Sequence, residues 1–187
     1  MFIYEVDEEV LLRMLMTGEA ERLFTITDRS RHYLKEWLPW VDETKTVADS
    51  KQFIENSFHI YAEQTGLTAG IFYKDKLVGV AGFNGFDWRN RIGFIGYWLD
   101  VKYQGLGIMT RVASALTDYA FKQLQLNRVD IRAAYENKKS RAIPERLGFT
   151  KEGQVRQAEW LYNHYVDHVV YGMLASEWED LRRGVES

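Results

Sequence analysis

Apolar residues in the first third of the chain recur at the spacing of amphipathic helices. The pattern predicts one strand over 9–14, followed by helices over 17–24, 30–37 and 46–61. Thr17 is a candidate cap for the first helix. The second helix ends before Pro39, since the residue that precedes a proline disfavours helical geometry. Thr46 and Asp49 form a capping-box pattern at the start of the third helix.

The middle and the end of the chain alternate between strand and helix patterns. Strands are predicted over 67–73, 77–83, 91–99, 127–135, 149–161 and 165–174, and helices from 107 onwards, over 138–147 and over 176–183. Asn84-Gly85 separates a hairpin, formed by the first two of these strands, from the third strand. The third strand is nearly continuously apolar, as expected of a central strand covered on both faces. This order predicts a mixed α/β sheet in a single domain over 1–187.

Composition narrows the class of protein. Of the 187 residues, 46% are hydrophobic and 27% are charged, which is ordinary for a globular protein. A net charge of -3 provides no basic field for nucleic acid. The cysteine count of 0 excludes disulfides, thiolate metal sites and cysteine nucleophiles. The chain shows neither a signal-peptide pattern nor an apolar run of membrane-spanning length. We therefore expect a cytoplasmic protein with neither nucleic acid nor membrane as a partner.

A glycine-containing turn between a buried strand and a helix is the most informative segment. The strand ends near Leu99, and Gln104-Gly105-Leu106-Gly107 leads into the next helix. Glycine lets the backbone approach a ligand closely, and a helix start has unpaired N–H groups with partial positive charge. Such a turn suits a phosphate or pyrophosphate, although an ordinary tight turn has the same spacing. Neither G-x-G-x-x-G nor Gly-Lys-Ser/Thr is present, which disfavours dinucleotides and nucleoside triphosphates.

A second group of polar residues lies at the start of the helix predicted over 138–147. Asn137 is placed to cap this helix, and the Ser140 hydroxyl can bond locally, so each has a structural interpretation. Pro144 lies beyond the first turn, where it removes a helix hydrogen bond. Gly148 suits the end of the helix.

Together, the two segments resemble the GCN5-related N-acetyltransferase (GNAT) superfamily, and the resemblance covers essentially the whole chain. The superfamily pattern Gln/Arg-x-x-Gly-x-Gly/Ala occurs as residues 104–109, with Met109 in place of a small residue. The resemblance implies a GNAT fold: a mixed, mostly antiparallel central sheet flanked by helices, with a splayed strand pair that binds acetyl-CoA. No metal is implied.

The resemblance also implies which residues contact acetyl-CoA. These are Leu99, Val101, Gln104, Gly105, Gly107, Ile108, Met109, Thr110 and Asn137. The amides of the turn bind the pyrophosphate, and the end of the preceding strand pairs with the pantetheine arm like an extra strand. Asn137 matches the asparagine that contacts the same arm.

A narrower resemblance supplies candidate catalytic residues. Many superfamily members have a tyrosine acid in the helix after the asparagine, but Pro144 occupies that position here. The motifs Asn-x-x-Ser, Gly-Tyr-Trp-Leu-Asp and Gln-Ala-Glu-Trp-Leu resemble bacterial ribosomal-protein-serine N-acetyltransferases of the RimL type. That subfamily implies Ser140 as general acid and Glu159 as general base. An amine must lose a proton before it attacks, and the leaving thiolate must gain one, so the chemistry needs both groups.

The resemblance implies acetyl transfer to a primary amine, preferably the N-terminal α-amine of a ribosomal-type protein. A small amine, such as a polyamine or an aminoglycoside, and a CoA-sensing module without catalysis remain as alternatives. Trp37, Asn84 and Trp160 are candidates for the acceptor site, with core packing as the alternative for the tryptophans. His164 and His168 lack sequence neighbours that would complete a metal site. Related enzymes are often dimers, so a homodimer is a further expectation.

Overall fold

Eight strands form one sheet in the computed structural model, which describes residues 1–185. The strands are β1 Ile3–Glu5, β2 Val10–Arg13, β3 Leu67–Tyr73, β4 Lys76–Asp87, β5 Ile92–Leu99, β6 Arg128–Ala134, β7 Thr150–Leu161 and β8 His164–Leu174. Their order in the sheet is β1-β2-β3-β4-β5-β6-β8-β7. Neighbouring strands are antiparallel except β5 and β6, which are parallel. The predicted mixed, mostly antiparallel sheet is confirmed.

Six helices connect and flank these strands within the described residues. They are α1 Ala20–Arg29, α2 Arg31–Lys35, α3 Val47–Ala62, α4 Ile108–Lys122, α5 Lys138–Arg146 and α6 Ala175–Val185. Thr46 and Asp49 form the expected capping box at α3. Gly148 follows α5 with a φ of +82°, a conformation that favours glycine. No helix among residues 1–185 is both long enough and apolar enough to cross a lipid bilayer.

Three local predictions differ from the structure. Thr17 does not cap the first helix, because the Glu19 carboxylate inside the first turn accepts the Met16 N–H instead, at 2.8 Å. Strand β1 was not predicted, since three residues are too few to show an alternating pattern. Strand β4 does not end at residue 83, because Asn84 sits in a bulge of a strand that continues to Asp87.

The two faces of the sheet pack against different helices. Ile71 and Phe72 are neighbours in β3, so they point to opposite faces, and they belong to different core clusters. The Ile71 cluster includes Val112 and other α4 residues, whereas the Phe72 cluster includes Ile26 of α1 and Ile54 of α3. Helix α4 therefore covers one face, and α1 and α3 cover the other.

Strands β5 and β6 separate partway along their length. They pair only from Ile92 to Ile95 on β5 and from Arg128 to Ile131 on β6. Residues 96–99 of β5 continue without pairing to β6, which leaves a V-shaped gap in the middle of the sheet. This gap is the expected splayed strand pair.

Candidate active site

One large cleft runs through the gap between β5 and β6. Its volume is about 1410 Å³, more than the ~300–1,000 Å³ of typical small-molecule pockets. Most of the predicted site residues line it, namely Trp37, Asn84, Leu99, Gln104, Gly105, Gly107, Ile108, Met109, Thr110, Asn137, Ser140 and Glu159. The cleft therefore has room for two substrates side by side.

The turn before α4 has the geometry of an anion site. Gly105 and Gly107 adopt φ values of +78° and +71°, a region that L side chains rarely enter. A Cβ at either position would meet no atom within 4 Å, so the space beside the turn is open. Gly107 is also the residue before the first turn of α4, whose backbone N–H groups have no partner within the helix. The residues present thus fit a pyrophosphate group.

A buried carboxylate, that of Asp100, holds the segment that leads into this turn. Asp100 is fully buried and accepts hydrogen bonds from the Arg29 guanidinium, the Ser30 hydroxyl and the Lys102 N–H. Burial opposes ionisation of Asp100, but these hydrogen bonds outweigh it and lower its pKa. The bond from Arg29 in turn raises the pKa of that guanidinium. Helix α1 is thereby tied to the start of the turn.

The start of α5 borders the gap between the strands. The Asn137 side chain accepts the Ser140 N–H at 3.2 Å, so it caps the helix as its structural interpretation predicts. The Tyr97 hydroxyl donates to the Ser140 carbonyl at 3.2 Å and links β5 to α5. Burial raises the pKa of Tyr97, which keeps this hydroxyl protonated. The Ser140 side chain also hydrogen-bonds to Tyr97, which opposes the rise in the pKa of that tyrosine, and it lines the cleft.

Glu159 lies across the cleft on the edge strand β7. Its side chain is 29% exposed, and its Oε1 is 3.3 Å from Nε2 of His168 on β8. His168 also lines the cleft, although its spacing from His164 indicated no function in the sequence. The contact depends on the pairing register of β7 and β8, which the sequence does not reveal.

Two predicted site residues lie outside the cleft lining. Trp160 follows Glu159 on β7 and so points to the opposite face, where it is 52% exposed and packs edge-on against Tyr165, with ring centroids 4.8 Å apart. Val101 starts a short helical turn, and its N–H donates to the Ser30 hydroxyl at 3.1 Å. That N–H is consequently already used and not available for strand-like pairing with pantetheine.

Aromatic side chains line part of the same cleft. Trp37, Trp40, Phe53 and Trp98 all contribute, and the rings of Trp40 and Trp98 are 6.0 Å apart. Sequence reasoning selected only Trp37 from this group. The signal available for Trp98 was its position in β5, one residue before Leu99.

Charged residues of β6 also face the cleft. Asp130 and Arg132 alternate with the core residues Val129 and Ile131, so they lie on the opposite face from α4. Burial raises the pKa of Asp130, while a hydrogen bond of 2.5 Å from Arg128 opposes that shift. Alternating polar residues in a central strand were the sequence signal for these two positions. Among residues 1–185, no group of three or more His, Asp or Glu side chains is arranged to hold a metal ion.

The tip of the β7–β8 hairpin is attached to the loop before α3. The Tyr162 hydroxyl donates to the Leu38 carbonyl at 2.5 Å and accepts the Val41 N–H at 3.2 Å. Leu38 and the neighbouring Trp40 line the cleft. The strand that carries Glu159 is therefore fixed relative to the aromatic part of the cleft.

Comparison with known proteins identifies relatives of this chain. A family model described as an acetyltransferase (GNAT) domain matches residues 9–150. The Bacillus subtilis protein YdaF, which carries the name of a ribosomal N-acetyltransferase, is 38% identical over 181 residues, covering 96% of this chain and 98% of that protein. The ribosomal-protein-serine acetyltransferase of Escherichia coli is 27% identical over 170 residues, covering 91% and 95%.

Solved structures have the same fold. RimL, a ribosomal alpha-N-protein acetyltransferase, in complex with coenzyme A, has a TM-score of 0.90 and 26% identity, covering 94% of this chain and 99% of that one. The microcin self-immunity acetyltransferase MccE, in complex with acetyl-CoA and AMP, has a TM-score of 0.87 and 32% identity, covering 90% and 94%.

Proposed function

This chain belongs to the acetyltransferase (GNAT) family, and from that premise we propose that its acceptor is the N-terminal α-amine of a protein of the ribosomal type. It is an acetyl-CoA-dependent N-acetyltransferase, which sets aside the alternative of a CoA sensor without catalysis. Relatives named for ribosomal substrates support the acceptor and a cytoplasmic location. Assembly as a homodimer stays a prediction.

The observation that carries the proposal is the position of Glu159 and Ser140 in one cleft with the anion-binding turn. In the proposed reaction, Glu159 accepts a proton from the acceptor ammonium, which leaves a neutral amine as nucleophile. The amine nitrogen bonds to the thioester carbonyl carbon, the carbon–sulfur bond breaks, and Ser140 donates a proton to the departing thiolate. Ser140 regains its proton from solvent.

The tetrahedral intermediate also needs hydrogen-bond donors for its oxyanion. Residues 96–99 of β5 lack a partner on their β6 side, so strand N–H groups near Leu99 are available at this edge. Preorganised donors of this kind stabilise the charge that develops in acyl transfer. Leu99, the turn at 104–107 and Asn137 are proposed to hold acetyl-CoA with its thioester in the gap.

A small amine is the second candidate acceptor. The aromatic wall formed by Trp37, Trp40 and Trp98 suits a flat or cationic group better than a variable peptide chain. MccE, which binds AMP together with acetyl-CoA, is a relative with a comparable fold. The acceptor would then be an amine attached to an aromatic or nucleotide group.

CoA release with a panel of acceptors tests both candidates. The panel contains peptides with free Ser, Ala or Met N-termini, polyamines, aminoglycosides and an aminoacyl nucleotide analogue. Glu159→Gln should lower turnover by roughly 10²–10⁴-fold, the usual contribution of a general base. Glu63→Gln, a change at an exposed glutamate just after α3, serves as the matched control.

Release only with peptides, dependent on Glu159, supports the protein acceptor. Release only with polyamines, aminoglycosides or the nucleotide analogue contradicts it in favour of the second candidate. Equal turnover in Glu159→Gln and Glu63→Gln contradicts the role of Glu159 as base.

A further inference from the structure

The inference concerns His168 and rests on the proposed role of Glu159. We propose that His168 is a positioning residue, which holds the Glu159 carboxylate toward the acceptor amine. The 3.3 Å contact between Nε2 of His168 and Oε1 of Glu159 is the observation from which it starts. Both side chains are partly buried, at 20% and 29% exposure, and both line the cleft.

A bulge in β7 creates this contact. Val155 pairs with His168 and Glu159 pairs with Val166, so residues 156–158 face Asp167 alone. Without the two extra residues, Glu159 would lie opposite His164, four positions from His168 along β8. The bulge moves Glu159 by two positions and keeps it on the same face, diagonally across from His168, where cross-strand side chains can meet.

Asp167 holds the bulge in place. Its carboxylate accepts the Gln157 N–H at 2.8 Å and the Gln154 side-chain amide at 2.7 Å. Gln157 has a φ of +49°, which is uncommon for a residue with a side chain. A strained conformation of this kind persists where the surroundings fix it, and such positions cluster at functional sites.

The donor and the acceptor of this contact follow from the proposed role of Glu159 as base. An ionised carboxylate can only accept hydrogen bonds, so Nε2 of His168 must carry the hydrogen that it donates to Oε1. Oε2 of Glu159 is then left to receive the proton of the acceptor ammonium. His168 keeps its own proton throughout, and its effect on the reaction passes through the orientation of Glu159.

Other charged groups near His168 belong to several elements. Ala134 pairs with His168, which places Arg132 of β6 diagonally beside it on the same face, and Asp130 lies two residues further along. Asp167 is its neighbour in β8. The remaining charged residues that line the cleft are Arg111, Lys139 and Arg146, at the cofactor end. Among the described residues, Glu159 is the one acidic group that pairs with the His168 ring.

Steady-state kinetics with acetyl-CoA and a Ser-initiated peptide test the positioning role. His168→Ala should lower kcat by up to about 10²-fold, the cost of a small misplacement of a reacting group, with KM for acetyl-CoA unchanged. His168→Gln retains a side-chain N–H donor and should recover most of kcat. In a Glu159→Gln background, His168→Ala should have no further effect, since the group that it orients is absent.

Two kinetic results would overturn the inference. One is an equal loss of kcat from His168→Ala in the parent and in the Glu159→Gln background, which indicates a general structural role. The other is a His168→Gln variant as slow as His168→Ala although both melt at the parent's temperature.

NMR of the histidine rings at constant pH tests the pair without any acceptor and so separates this inference from the proposed function. The chain has 4 histidines, and loss of one ring signal in His168→Gln assigns His168. Because Nε2 of His168 donates to Glu159 in the proposed pair, the ring should carry a hydrogen on Nε2, and its Nε2 signal should move in Glu159→Gln. Both results support the pair even when no acceptor in the panel reacts. A ring with its only hydrogen on Nδ1, or an Nε2 signal unchanged in Glu159→Gln, contradicts it.

Discussion

Replacement of Asp100 by asparagine removes the negative charge that holds the segment before the turn at 104–107. The carboxylate is fully buried and accepts hydrogen bonds from Arg29, Ser30 and the Lys102 N–H. Asparagine has nearly the same shape but no charge, so it leaves the Arg29 guanidinium without its counter-ion. Both the stability of the fold and the affinity for acetyl-CoA should therefore fall.

The size of the effect follows from the exposure of the two partners. Loss of one partner from a fully buried ion pair costs about 3–5 kcal/mol. The Arg29 side chain is 25% exposed, so water can solvate it in part, and asparagine retains one acceptor. We expect a loss of about 2–3 kcal/mol in the free energy of unfolding. In a domain of this size, that corresponds to about 4–12 °C in Tm.

Urea and thermal unfolding of Asp100→Asn measure this loss. Asp42→Asn is the matched control, because Asp42 pairs with Lys35 at the surface and is 51% exposed; its ion pair should contribute at most about 1 kcal/mol. Titration calorimetry should also show weaker acetyl-CoA binding by Asp100→Asn alone. Equal, small losses of stability in the two variants would refute the reasoning.

Two further predictions concern a substitution in the turn at 104–107 and the pH dependence of the stability that Asp100 contributes. Gly107→Ala should lower the free energy of unfolding by about 1–2 kcal/mol, because alanine at a φ of +71° is strained. It should also weaken acetyl-CoA binding in calorimetry, because its methyl group enters the open space beside the turn; unchanged affinity would contradict the assignment of that space to the cofactor. The pKa of Asp100 is lowered in the folded state. The stabilisation of the fold by its ionised carboxylate is therefore fully present above the unfolded pKa of about 3.9, and it is lost as pH falls through the folded-state pKa. The stability difference between the parent and Asp100→Asn should accordingly shrink in acid unfolding experiments, and a constant difference down to the lowest pH at which the parent folds would refute this.

Sequence reasoning succeeded where the signal is local. The turn at 104–107, the start of α4 and the Asn137 cap each depend on residues within one turn of one another, and the structure has all three. The central strand β5 was recognisable because it is apolar on both faces. These elements are enough to predict the fold and the anion-binding turn.

The remaining differences come from strand register and from side-chain contacts between separate elements. The contact between Glu159 and His168 depends on a bulge whose register is set by Asp167, and neither histidine spacing nor hydropathy encodes it. Trp160 was expected at the acceptor site, but the alternation of β7 turns it to the other face. Val101 was expected to act as a strand residue, but the chain leaves the strand at Asp100 because Arg29 and Ser30 hold that carboxylate.

Mapping the acetylated nitrogen of a peptide product tests the central claim most directly. The substrate is a peptide with a free N-terminal serine and an internal lysine, incubated with acetyl-CoA and analysed by tandem mass spectrometry. The account predicts acetyl on the α-nitrogen of the serine with the parent protein and little product with Glu159→Gln. Acetyl on the lysine side chain, or equal product with Glu159→Gln, would contradict it.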